Sequence, residues 1–149
     1  MFDKLFSRFK QAAPEKESGG GALALSVAAL LVEAARMDQH YDAGEIAIIK
    51  RALKSKFGLD DSDAAALLTQ AETAQENATD IQRFTKVAKS MSSGEKVSLI
   101  ESLWEIVLSD GTRDSFEDTL MRRICGLIYV DDRDSGAARA RVAARLNLS

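Results

Sequence analysis

The residues best suited to chemistry in this chain are acids, and they come in two matched sets. Asp38, Asp42 and Glu45 lie in the stretch Asp38-Gln-His-Tyr-Asp42-Ala-Gly-Glu45. Asp110, Asp114 and Glu117 lie in Asp110-Gly-Thr-Arg-Asp114-Ser-Phe-Glu117. Three carboxylates within eight residues offer the oxygen donors that a hard cation takes, so Ca²⁺ or Mg²⁺ binding is one chemistry open to these elbows. Their spacing is not that of a twelve-residue EF-hand loop, which needs donors at its first, third and fifth positions and a closing glutamate at the twelfth. A second possibility is an acidic docking surface for a protein partner. A third is structural. Asp42 and Asp114 sit where helix N-caps belong, and Glu45 and Glu117 three residues on complete capping boxes and favour the helix dipole. Capping does not account for Asp38 and Asp110. They fall at the C-terminal end of a preceding helix, where the dipole disfavours an anion, so a local cation such as Arg36 or Arg113, or free backbone N–H groups, must offset them.

Other reactive residue types give less. His40 is the only histidine, so neither a His-based zinc site nor a Ser-His-Asp triad can be built. Cys125 is the only cysteine; it falls on an apolar stripe and reads as a small core residue, and no intrachain disulfide can form. Trp104 likewise reads as core. Gly19-Gly-Gly21 precedes a helix, but without a following Lys-Ser/Thr or a preceding strand it is no phosphate loop. The arginines Arg139, Arg141 and Arg145 read as a solvated face, with a basic docking patch as the alternative. No catalytic constellation is complete, so the chain is expected not to be an enzyme and to carry no cofactor, the hard cation at the elbows being the one exception left open. A net charge of −3 supplies no field for nucleic acid, and none is expected as a partner.

The elements that must position the elbows are helical throughout. With 149 residues, 46% of them apolar, the chain is long enough for one domain with a real core. Apolar residues recur at helical spacing, and no stretch alternates with the period of a strand. The expected class is all-α, a compact bundle of about seven helices over residues 22–149. Phe2, Leu5, Phe6 and Phe9 form one face of a separate amphipathic helix over residues 1–11, with Lys4, Arg8 and Lys10 off that face. Residues 12–21 are polar and Gly-rich, contain the only proline, and read as a flexible linker. The Phe stripe could meet a membrane surface, a partner, or its own domain. Gly21 to Val32 is too short to span a bilayer, and acids at Asp3, Glu15 and Glu17 weigh against a secretory signal, so a cytoplasmic chain is expected.

Within the bundle the sequence repeats. Aligning 31–53 with 103–125, an offset of 72 (110 − 38), gives six identities in twenty-three positions. They are Leu31/Leu103, Glu33/Glu105, Asp38/Asp110, Asp42/Asp114, Glu45/Glu117 and Arg51/Arg123. With a one-residue shift, Leu59-Asp-Asp-Ser-Asp63 matches Val130-Asp-Asp-Arg-Asp134. The repeated unit is helix, acidic elbow, helix, acidic cap, helix, which predicts two pseudo-symmetric halves around a shared core. Between the copies, the polar stretch from Glu72 to Thr79 reads as a loop, and Ser92-Ser-Gly-Glu95 as a capping box.

The segments Leu31-Val-Glu-Ala-Ala-Arg-Met-Asp-Gln-His-Tyr-Asp-Ala-Gly-Glu45 and Leu103-Trp-Glu-Ile-Val-Leu-Ser-Asp-Gly-Thr-Arg-Asp-Ser-Phe-Glu117 resemble the two signatures of the TerB-like family. The resemblance covers roughly residues 24 to 146, and the first copy departs from the family pattern in having Gln39 where glycine is usual. It implies a compact all-helical fold of about seven helices and an association with bacterial tellurite resistance or envelope stress. It brings no catalytic reaction. The expected function is an interaction or scaffold domain, and the alternative is a divalent-cation domain built on the duplicated elbows. The expected partners are other proteins of the stress or tellurite-resistance system, some of them membrane-associated. The expected location is the cytoplasm, with peripheral contact at the inner face of the membrane through residues 1–11 as a further option.

Overall fold

The computed structural model describes residues 20–37, 41–109 and 115–147, with the backbone alone at 20 and 115–117. They form seven helices: α1 (Gly20–Arg36), α2 (Ala43–Phe57), α3 (Asp61–Asn77), α4 (Gln82–Ala88), α5 (Ser93–Ser109), α6 (Ser115–Ile128) and α7 (Asp132–Arg145). No strand occurs among the described residues, so the all-α expectation holds. The Phe stripe (Phe2, Leu5, Phe6, Phe9) and most of the linker lie outside them. The helix α1 begins at Gly20, inside the stretch read as linker.

Two helices form the axis of the core. In α1 small and branched residues are intermixed, and Ala28, Ala29, Leu30, Leu31, Val32 and Ala35 are all fully buried. Alanine lets neighbouring backbones come close, and α1 accordingly packs against α2, α3, α4 and α5. The second axial helix, α5, buries Leu99, Ile100, Leu103, Trp104, Ile106, Val107 and Leu108, more than a single amphipathic stripe. It packs against α6 and α7 of its own half and against α1 and α2 of the other.

The expected duplication appears as a repeated set of helix pairings. In the first half α1 pairs with α2 and α3, and α2 with α3. In the second α5 pairs with α6 and α7, and α6 with α7. Between the halves sits the short helix α4, which buries Phe84, Thr85 and Ala88 and packs on α1 and α6.

The helix ends follow from local chemistry. Asp60 caps α3 by accepting from the Asp63 backbone N–H at 2.8 Å. Ser92 and Glu95 form a reciprocal box before α5, at 3.2 and 3.0 Å. Gly58 ends α2 in the left-handed region (φ 64°), and the Leu59 N–H reaches back to the Lys54 carbonyl at 3.2 Å. Tyr129 does the same after α6, also at φ 64°, with the Val130 N–H bonding the Cys125 carbonyl at 2.9 Å. These two caps are offset by 71 (129 − 58), whereas the helix starts, Ala43 and Ser115, are offset by 72 (115 − 43). The one-residue shift seen in the sequence is therefore a shortening of α6, which has 14 residues against 15 in α2.

Two local expectations need correction. The polar stretch from Glu72 is no loop at first, because α3 runs on to Asn77. Asp131 occupies the N-cap position of α7, but its side chain makes no capping hydrogen bond.

Candidate functional site at the first elbow

At the first elbow the structure describes Arg36, Met37 and the residues from Tyr41 onward; Asp38 and His40 lie outside the description. Asp42 is an N-cap in extended conformation (φ −106°, ψ −179°), and its Oδ1 accepts the Glu45 backbone N–H at 3.0 Å. That confirms the capping role expected for Asp42. Glu45 is 5% exposed, so it is a buried member of the first turn of α2 rather than part of an open acidic surface. At the second elbow Asp110, Asp114 and the Glu117 side chain are outside the described residues.

What the sequence did not reveal is how the residues flanking Asp38 are fastened. Arg36 ends α1 and reaches across to the C-terminal turns of α3. Its Nη1 donates to Gln75 Oε1 at 2.6 Å and approaches the Glu72 carbonyl at 3.5 Å, while Nη2 pairs with Glu76 at 3.2 Å. Gln75 in turn donates to Glu33 Oε1 at 2.7 Å. On the other side of the elbow, the Tyr41 hydroxyl donates to Glu72 Oε2 at 2.5 Å, and the Arg36 guanidinium lies over the Tyr41 ring at 4.8 Å. Burial, then the hydrogen bond and charge of Glu72, hold the Tyr41 phenol well above its usual pKa, with Arg36 pulling the other way. Arg36, considered from the sequence as a counter-charge for Asp38, which lies outside the described residues, binds α3. The polar end of α3, read as a loop, is polar because it receives these two side chains.

A second polar feature lies between α2, α5 and α7, where a shallow cleft of about 440 Å³ is lined by Arg51, Lys56, Ser98, Glu101, Glu105 and Arg145, among others. Arg51 pairs with Glu105 at 2.5 Å, Arg141 with Glu101 at 2.8 Å, and Arg145 reaches both glutamates at 3.5 and 3.9 Å. The C-terminal arginines Arg141 and Arg145 are therefore not a merely solvated face. They latch α7 to α5, and Arg51 ties α2 to α5 across the halves. Lys56 donates to Ser98 Oγ at 2.5 Å, and burial pushes its pKa down against the pull of Glu101 and Glu105. Three cations, Arg51, Lys56 and Arg145, line this cleft with two glutamates, and each glutamate is held by arginine from another helix, so the cleft works as a fastener.

Cys125 and Trp104 behave as expected for core residues, 1% and 6% exposed. The Trp104 Nε1–H donates to Ser135 Oγ at 3.1 Å. Burial raises the Cys125 pKa, and a hydrogen bond with the same Ser135 opposes the rise. Arg139 stacks its guanidinium over Trp104 at 5.5 Å. A buried thiol with a raised pKa is a poor nucleophile. Among the described residues no three His, Cys, Asp or Glu side chains gather closely enough to hold a metal ion; Asp38, Asp110, Asp114 and Glu117 stand outside that statement.

Two helix triplets, each with an acidic elbow after its first helix, define the class as a duplicated all-helical domain. The family model described as "Tellurite resistance protein TerB" matches residues 24–140. The chain belongs to the TerB family. Its association with tellurite resistance follows from that membership. No curated protein and no solved structure matches the chain. No described helix is long and apolar enough to cross a membrane.

Proposed function

We propose that this chain is a non-enzymatic interaction domain that docks a protein partner of a bacterial tellurite-resistance or envelope-stress system through its first elbow. The observation that supports this most is the fixing of both described flanks of Asp38 to α3. Arg36 is held by Gln75 and Glu76, and Tyr41 by Glu72, so the chain enters and leaves the elbow at set positions. Fixed flanks reduce the conformational freedom that a segment between them has to lose on binding, which is what a docking surface needs. The surroundings are acid-rich, with Glu33, Glu72 and Glu76 close to Arg36, and this favours a basic partner surface.

The test is affinity capture with wild type and with the double variant Asp38→Asn/Asp110→Asn, folding being checked by circular dichroism. The expected result is loss of specific partners from a folded double variant. An unchanged partner set would sink the role given to the elbows. The other reading, a divalent-cation site, rests on the acid pattern of the sequence, and isothermal titration with Ca²⁺ and Mg²⁺ addresses it. Heat that disappears in the double variant would favour the cation; no heat at millimolar metal would end that reading.

A further inference from the structure

A half-open apolar hollow of about 150 Å³ lies where α1, α2 and α5 converge. Leu23 and Val27 of α1, Phe57 at the end of α2, Met91 before α5 and Leu99 of α5 line it. Val27 and Leu99 form a buried floor at 1% exposure, while Leu23, Phe57 and Met91 are only partly covered. An apolar cavity of about this size accommodates a benzene-sized group, which is the ring of one phenylalanine. We propose that the hollow is the socket for the chain's own N-terminal stripe, Phe2, Leu5, Phe6 and Phe9, with one phenylalanine ring seated between Phe57 and Met91.

The argument for this occupant is where the chain enters the domain. The helix α1 begins at Gly20, and the socket residue Leu23 is three positions on, so the segment before Gly20 joins the bundle beside the hollow. Residues 12–19 are the eight that separate the stripe's segment from α1. A chain of that length spans at most about 27 Å and averages roughly 16 Å end to end, enough to fold back onto the first turn of α1. A tether this short presents the stripe at an effective concentration on the order of millimolar. A membrane or a separate partner must compete with that. The rim carries one charge of each sign, Lys56 and Glu95, so the fit rests on apolar contact and the short tether rather than on charge.

The full chain contains four methionines, Met1, Met37, Met91 and Met121, which makes methyl-labelled methionine a direct probe. Met91 lines the socket, while Met121 is 2% exposed in the core and serves as an internal reference. NMR spectra of full-length wild type are compared with Phe2→Ala, Phe6→Ala and Phe9→Ala, each confirmed as folded by its Met121 signal. The expected result is a Met91 methyl shifted upfield by ring current in wild type, relieved in at least one Phe variant, and unchanged on dilution. A Met91 signal indifferent to all three variants overturns the proposal. So does a response that fades on dilution, which would put the stripe of a second copy in the socket. So does a stripe that binds phosphatidylethanolamine/phosphatidylglycerol vesicles while its substitution leaves Met91 unmoved without lipid, since the stripe would then belong to the membrane.

Discussion

Ser135→Ala tests the internal logic of the second half. Ser135 is 8% exposed and accepts the Trp104 indole N–H at 3.1 Å, while also hydrogen-bonding Cys125. Replacing it with alanine keeps Cβ and removes one oxygen, so little packing is lost. What remains is a buried indole donor without its partner, which costs about 1–3 kcal/mol. At a middle value of about 2 kcal/mol, a chain of this size loses roughly 4–8 °C of melting temperature. At the positions corresponding to Trp104 and Ser135 (104 − 72; 135 − 71) the first half has Val32 and Ala64, both fully buried and apolar. The architecture therefore tolerates an apolar pair here. Trp104→Phe combined with Ser135→Ala should lose less than the sum of the two single changes, by about 0.5–3 kcal/mol. Urea unfolding measures this, followed by the fluorescence of the one tryptophan for Ser135→Ala and by circular dichroism for the Phe variants. A Ser135→Ala loss below about 0.5 kcal/mol, the level of an inert surface change, or strict additivity in the double variant, would refute the reasoning.

Three further outcomes follow from the same structure. The folded state favours the protonated Tyr41 phenol, so its contribution is complete below the unfolded pKa of about 10 and is lost as pH rises above it. The stability difference between wild type and Tyr41→Phe should hold steady from neutral pH to about 9 and then shift against wild type, as read by denaturant titration at each pH. Cys125 should resist iodoacetamide in the folded chain at mildly alkaline pH and react once denaturant is added, as followed by mass spectrometry. Gly58→Ala should destabilise by about 1 kcal/mol, because φ 64° penalises any Cβ. Tyr129→Gly should be neutral or mildly stabilising, since relief of the same strain is offset by glycine's entropy of about 0.5–1 kcal/mol and by loss of the Lys89 contact at 5.3 Å.

The parts of this fold legible from sequence are those written in local chemistry. Asp42, Asp60, the Ser92/Glu95 pair and Gly58 each satisfy a helix end within three to five residues, so spacing alone reveals them. The core stripes were legible for the same reason, since burial of Ile49, Leu53, Leu67 and Ile100 follows helical period. What spacing could not show is where a polar side chain goes when its partner lies far along the chain. Gln75 and Glu76 look like frayed, solvated residues until Arg36, 39 and 40 positions earlier, is seen to bind there. Arg141 and Arg145 likewise find Glu101, 40 and 44 residues away. Asp131 erred in the other direction, with the right residue type at the right position and no capping bond made. Tyr129 was missed because a left-handed cap signals itself through glycine, and here the same geometry is carried by an exposed tyrosine.

The missing residue in α6 reaches beyond bookkeeping. Each residue of a helix turns the chain by about 100° and advances it by about 1.5 Å. The elbow at the start of α2 and the exit toward α3 are thus related by one bearing, and the elbow of α6 and its exit toward α7 by another. A partner that grips an elbow together with the third helix of one half meets a different face when it is moved to the other half. The halves share a scaffold yet are not superimposable, and under the docking proposal a partner fitted to one half is expected to bind once per chain.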